Sequence, residues 1–213
     1  MKKKKIEKEY LILVEGSDDK AFFEKLLEDI PVIQIIDVEG KDNFKPELKL
    51  ISEDDDFEKV KKILIIRDAD GSYKRTYQSL IGIVKEIFNE TAGDILKGYQ
   101  GKYGILILPP SEEHGSLEDL LFKSIESDIQ KEIVEFVEKM EKTWKKRKKK
   151  KFKKAKYKIH CYIGYECNDK LYLKLSSAIK NCDAFNMKFP NFLSLKTTIM
   201  TFLNYNTKCC LLT

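Results

Sequence analysis

The chain reads as an α/β protein: a mostly parallel sheet with helices on both faces, followed by a mainly helical C-terminal extension. Three observations predict this. Four short apolar runs alternate with stretches of helical periodicity over the first 126 residues. The third run, residues 63–66, is apolar at every position, as a central parallel strand covered on both faces requires. Beyond residue 126 the apolar residues recur mainly at helical spacing. With 213 residues, 42% of them hydrophobic, the chain is long enough and apolar enough to bury a core.

The first strand is residues 10–14, an apolar run that stops at Glu15 and Gly16. A helix follows. Ser17 is placed to cap it, Asp18 and Asp19 suit its positive first turn, and Phe22, Phe23, Leu26, Leu27 and Ile30 form one apolar face. Pro31 stops it, and residues 32–38 form a second strand that ends near Glu39 and Gly40. An acidic stretch at residues 53–56 belongs to a loop or a helix start. The third strand runs straight into Arg67, Asp68, Ala69, Asp70 and Gly71. A helix from about Ser72 turns Tyr77, Leu80, Ile81, Val84 and Ile87 inward. The fourth strand, residues 105–108, is broken by Pro109 and Pro110, and Ser116 opens the next helix.

This alternating unit is expected over residues 8–126, with a basic, mainly helical extension over residues 127–213, either separate or packed on the same sheet. Within the extension, residues 129–140, 171–179 and 192–203 carry helical spacing. Residues 157–163 alternate and are rich in aromatic and apolar side chains, so they are read as a fifth strand.

Composition excludes several classes. No run of about 18 apolar residues is present, and the apolar run at residues 10–14 is too short for a signal peptide, so a cytoplasmic protein is expected. Cys161, Cys167, Cys182, Cys209 and Cys210 include no CxxC pair and fit no common zinc finger. Reduced, partly buried thiols are expected.

The net charge of +5 is unevenly spread. Residues 145–158 hold eleven basic side chains out of fourteen. Among them Lys145, Lys146, Arg147, Lys148, Lys149, Lys150, Lys151, Lys153 and Lys154 are candidate contacts to DNA or RNA. Lysine and arginine neutralise phosphates, and the interleaved Trp144, Phe152 and Tyr157 can stack on bases. The competing reading is a solvated helix face or a basic linker.

In an open parallel sheet, ligands bind beyond the carboxyl ends of the strands. Glu15, Asp68 and Asp70 all fall there. Asp68 and Asp70 are two residues apart, so an extended backbone puts both side chains on one side. Carboxylates gathered together repel one another unless a cation is present. Mg²⁺ or Mn²⁺ suits oxygen ligands and polarises a phosphoryl oxygen. Glu15 serves as a ligand or as a general acid or base. Gly16 and Gly71 allow sharp turns and a close approach to phosphate. His114 and Lys41 lie near the expected mouth, as an acid or base and as a phosphate contact, or simply as exposed residues.

Val14-Glu15-Gly16 after one strand and Ile66-Arg67-Asp68-Ala69-Asp70 after another resemble the Toprim domain, which is shared by topoisomerases, bacterial primases, RecR-type recombination proteins and several nucleases. The resemblance covers about half the chain and extends to Gly40 between the two acidic motifs. The segment Gly115-Ser116-Leu117-Glu118-Asp119-Leu120-Leu121 resembles small Toprim-like proteins related to the overcoming-lysogenization-defect nucleases. It implies Glu118 and Asp119 as further metal ligands, although Ser116-Leu117-Glu118-Asp119 also fits a helix capping box. The resemblance implies a Rossmann-like Toprim fold and Mg²⁺-dependent phosphodiester chemistry on nucleic acid, most simply a nuclease. A topoisomerase needs a nucleophilic tyrosine on a separate domain, and no zinc module of a primase is visible. The alternative is a non-catalytic module for nucleic-acid binding or assembly.

Overall fold

Five strands form one all-parallel sheet in a computed structural model that describes residues 4–147, 152–167, 173–182 and 184–205. They are β1 (Tyr10–Val14), β2 (Ile33–Asp37), β3 (Lys62–Asp68), β4 (Ala92–Asp94) and β5 (Tyr103–Leu108), in the spatial order β2-β1-β3-β5-β4. Between them run α1 (Ser17–Leu26), α2 (Phe44–Ser52) and α3 (Tyr73–Phe88). After the sheet come α4 (Leu117–Phe122), α5 (Ser127–Arg147), α6 (Lys154–Glu166), α7 (Leu175–Asn181) and α8 (Pro190–Leu203).

Side chains alternate along each strand and divide the core in two. Leu11, Leu13, Ile63, Ile65, Ile105 and Ile107 face α2 and α3. Ile12, Val14, Leu64, Ile66, Leu106 and Leu108 face the other way, in one apolar cluster with α1, α4 and the C-terminal helices. Gly104 makes this second face possible, because a Cβ there would stand 2.6 Å from the Phe202 ring of α8. The register pairs Val14 with Asp37 and Asp68 with Leu108. The residues just past β1, β2, β3 and β5 therefore share one edge.

Several expectations need correction. Residues 157–163 are helical, within α6. Ile159, Tyr162 and Ile163 are the buried set, at helical spacing, and packing on α4 and α5 outweighs the alternation. The fifth strand is instead β4, three residues with no apolar run to announce it. Gly16, not Ser17, is the cap of α1, and the Asp19 carboxylate accepts the Gly16 N–H at 3.1 Å. Cys167 and Cys182 form a disulfide that joins the ends of α6 and α7, because the fold brings those ends together. Cys161 is free, and Cys209 and Cys210 lie outside the described residues. So do Lys148, Lys149, Lys150 and Lys151 of the basic run, and Leu171. Among the described residues no helix is long and apolar enough to cross a membrane.

Candidate metal centre

Acidic residues reach the carboxyl edge of the sheet from two strand ends and two helix starts. Glu15 follows β1 and continues the row of Leu11 and Leu13, so it belongs to the α2/α3 side. Asp68 closes β3 in the row of Leu64 and Ile66, so it belongs to the α1/α4 side. Asp18 and Asp19 lie in the first turn of α1, and Glu118 and Asp119 in the first turn of α4.

On the α1/α4 side, Asp68 accepts the Leu117 N–H at 2.9 Å, so it holds the start of α4. Asp18 accepts the Ser176 N–H of α7 at 2.8 Å. Glu118 is buried and forms an ion pair with Lys156 of α6 at 3.4 Å. On the α2/α3 side, Glu15 Oε2 stands 3.6 Å from Arg67 Nε. Both atoms are buried without a hydrogen-bond partner. Asp70 is half-exposed and stands 3.8 Å from Lys41.

The charges act on one another. Burial first, then the charges of Asp19, Glu118 and Glu15, push Asp68 up to about 9, against the opposing Leu117 N–H. Burial, Glu15 and Glu118 push Asp19 up to about 7, although the Gly16 N–H favours its charged form. Glu15 is raised by burial and by Asp70, with Arg67, Lys41 and Lys156 pulling the other way. Lys156 is raised above its usual value, since the attraction of Glu118, Asp18 and Asp68 outweighs its desolvation.

Glu15, Asp68 and Glu118 therefore share one field, and Asp19 belongs with them. Asp70 acts on Glu15 but differs from expectation. Its φ is +51°, so the Asp68-Ala69-Asp70 segment is not extended and its two carboxylates have different surroundings. Asp70 instead exchanges backbone hydrogen bonds with Gly115, at 3.0 and 3.3 Å. Asp119 is engaged as a cap, accepting from the Ser116 N–H at 3.0 Å and sharing a 3.2 Å hydrogen bond with its hydroxyl. Gly40 has φ +121°, a conformation that favours glycine. Gly16 and Gly71 have negative or extended backbone, and His114 is exposed. Among the described residues no three histidine, cysteine or acidic side chains are already gathered as ligands of one ion.

Two members of this group carry little signal in the sequence. Asp19 resembles any first-turn acid, and its signal is its position four residues after Glu15, where the helix turns it back to the strand end. Lys156 is one of eleven basic residues in a run and carries no mark of its own.

The basic segment is also less free than its composition suggests. Lys145 pairs with Glu141 at 2.9 Å and Lys154 with Glu138 at 2.9 Å, while Lys146, Arg147 and Lys153 are exposed. Trp144, Phe152 and Tyr157 pack on one another, with centroids 4.3–6.2 Å apart, and Phe152 is buried. The three rings form an aromatic joint between α5 and α6.

A family described as a protein of unknown function, DUF3226, matches residues 9–204. No curated protein matches the chain. Among solved structures, two of the C-terminal region of the Xanthomonas campestris pv. campestris OLD protein are similar, phased with platinum and with mercury. Their identities are 16% and 15%, with 93% of this chain and 96% and 98% of those chains covered, and TM-scores of 0.45 and 0.43.

Proposed function

We propose that this chain, which belongs to the DUF3226 family of proteins of unknown function, carries a Toprim-type site for Mg²⁺-dependent phosphodiester cleavage in DNA or RNA. One convergence supports the reading. Glu15, Asp19, Asp68 and Glu118 come from separate elements, share one field, and two of them are driven to unusually high pKa values. A purely structural cluster gains nothing from such repulsion, whereas a divalent cation relieves it.

The donor set is all oxygen, which fits Mg²⁺ or Mn²⁺. The buried Glu15 Oε2, left without a hydrogen bond, is one unmet demand for a cation. Asp68, Asp19 and Glu118 would hold the ion on the α1/α4 side, and Glu15 and Asp70 on the other. Bound there, it supplies Lewis-acid polarisation of a phosphoryl oxygen. Glu15, with its raised affinity for a proton, donates or accepts one during bond cleavage. Asp119 stays with the helix cap. Lys156 lies in the first turn of α6, beside Lys153 and Lys154, so the basic start of that helix borders the acidic site. A polyanion lying along α6 would meet phosphate-binding charge and the carboxylates together.

The test is a cleavage panel over single- and double-stranded DNA and RNA with Mg²⁺ or Mn²⁺. Cleavage by the wild type and its loss, by at least about a hundredfold, in Asp68→Ala is the expected result. Cutting that continues in Asp68→Ala assigns the activity elsewhere.

The ion pairs Glu118–Lys156, Asp70–Lys41 and Glu15–Arg67 favour a second reading, since protein cations already answer part of the charge. In it the chain is a non-catalytic Toprim module. Nucleic acid then binds with a steep salt dependence, nothing is cut with any divalent ion, and a Glu15→Ala, Asp68→Ala double variant binds as the wild type does.

A further inference from the structure

We infer that Lys41 is a substrate-phosphate contact held in reserve on Asp70, and that occupation of Asp70 by a divalent cation releases it toward the nucleic-acid backbone. The inference rests on the metal-site reading above and assigns the α2/α3 side of that site a role in substrate binding.

The backbone of Lys41 is fixed to the site. The turn that carries it begins with Glu39 at φ +63° and Gly40 at φ +121°. The Gly40 N–H donates to the backbone carbonyl of Glu15 at 2.8 Å. The Glu39 N–H donates to Asp37 Oδ1 at 2.7 Å, and the Asn43 side-chain amide donates to the Glu39 carbonyl at 3.0 Å. The turn is thus fastened to the residue whose carboxylate lies at the centre of this side. What remains free is the lysine stem.

Its ammonium stands 3.8 Å from Asp70 Oδ2, and the two side chains are 52% and 54% exposed. Such a pair contributes little and separates at little cost. Arg67, a second cation on this side, differs: its side chain is 13% exposed and stays beside Glu15. A divalent cation at Asp70 and the Lys41 ammonium repel one another, so they compete for that carboxylate. Displaced, the ammonium keeps its position at the mouth and its need for an anion. A phosphate is the anion a nucleic-acid substrate brings there, and a flexible, compact ammonium suits it. Lys45, four residues on, pairs with Glu86 and supplies a control on the same segment.

The two roles predict effects of opposite sign. Replacing Lys41 removes a competitor for Asp70, so metal binding tightens. It also removes a phosphate contact, so nucleic-acid binding weakens. A merely structural lysine moves neither in this pattern.

The experiment uses the full chain as wild type, Lys41→Gln, Lys41→Arg and Lys45→Gln. Mn²⁺ binding is measured by calorimetric titration without nucleic acid. Binding of a fluorescent oligonucleotide is measured by anisotropy over a salt series with Ca²⁺ in place of Mg²⁺. Lys41→Gln is expected to bind Mn²⁺ about two- to fivefold more tightly, the scale of a half-exposed ion pair. Its salt slope for the oligonucleotide falls by about one. Lys41→Arg keeps the slope, and Lys45→Gln changes neither quantity. Unchanged or weaker Mn²⁺ binding in Lys41→Gln, or an unchanged salt slope, overturns the inference while leaving the metal site standing. A wild type that takes up no Mn²⁺ overturns the metal reading itself, and this inference with it.

Discussion

Asp68 keeps its proton to about pH 9 in the folded chain, because burial and the neighbouring Asp19, Glu118 and Glu15 outweigh the Leu117 N–H that favours its charge. In the unfolded chain it ionises near pH 4. The folded state therefore binds more protons across that window, and its stability falls as pH rises. The contribution is fully present below about pH 4 and is lost progressively toward about pH 9; Asp19 adds a loss of the same sign up to about pH 7. Asp68→Asn keeps an oxygen for the Leu117 N–H and removes the charge. In chelator at pH 8 it is expected to melt about 5 °C above the wild type, the shift that roughly 2 kcal/mol gives a chain of this size. Thermal melts across the pH range provide the check. A wild-type slope that persists in Asp68→Asn removes Asp68 as its source. At this scale the placement of Glu15 and Asp68 at strand ends and of Glu118 at a helix start is readable in the sequence. Whether a given acid caps a helix, as Asp119 does, or meets a neighbour's charge, as Asp19 does, depends on distances between elements.

Elements were legible where packing and periodicity agree. A strand such as β3, apolar on both faces from Ile63 to Ile66, has no other use for four consecutive buried apolar residues. β4 escaped because Ala92, Gly93 and Asp94 owe their strand to pairing with β5, and pairing leaves no apolar signature. In α6 two periods overlap, and only the presence of α4 and α5 decides between them. The same helices decide the fate of the aromatics in the basic run. Phe152 stacks on Tyr157 with centroids 4.3 Å apart and is 8% exposed. Phe152→Ala is expected to cost about 3 kcal/mol or more of stability, as for a buried core aromatic, measured as a lowered urea midpoint. A base-stacking platform would behave otherwise: stability would hold, and affinity for nucleic acid would fall by about 1–3 kcal/mol.

For the molecule as a whole, the question is whether residues 127–213 form an appendage or part of one folding unit. Six side chains of the C-terminal helices, Ile159, Ile163, Ile179, Phe192, Ile199 and Phe202, are 0–2% exposed and belong to the cluster on the α1/α4 face of the sheet. At about 2 kcal/mol each, their burial rivals the entire net stability of a domain, about 5–15 kcal/mol. Polar ties run the same way. Lys62 of β3 donates to the Phe202 carbonyl at 2.5 Å, and Ser176 of α7 donates to Asp18 beside the acidic cluster. Removing residues 127–213 would bare that face of the sheet and withdraw Lys156 from Glu118. The intact chain is therefore expected to unfold in one calorimetric transition, with equal calorimetric and van't Hoff enthalpies. A chain ending at residue 126 is expected to yield no cooperative melt. Two separate transitions, or a truncated chain that melts cooperatively, would make the extension independent. Lys156 would then approach Glu118 as a movable partner, whereas in a single folding unit the sheet, the acidic edge and the basic helix are held together by the apolar cluster on the α1/α4 face.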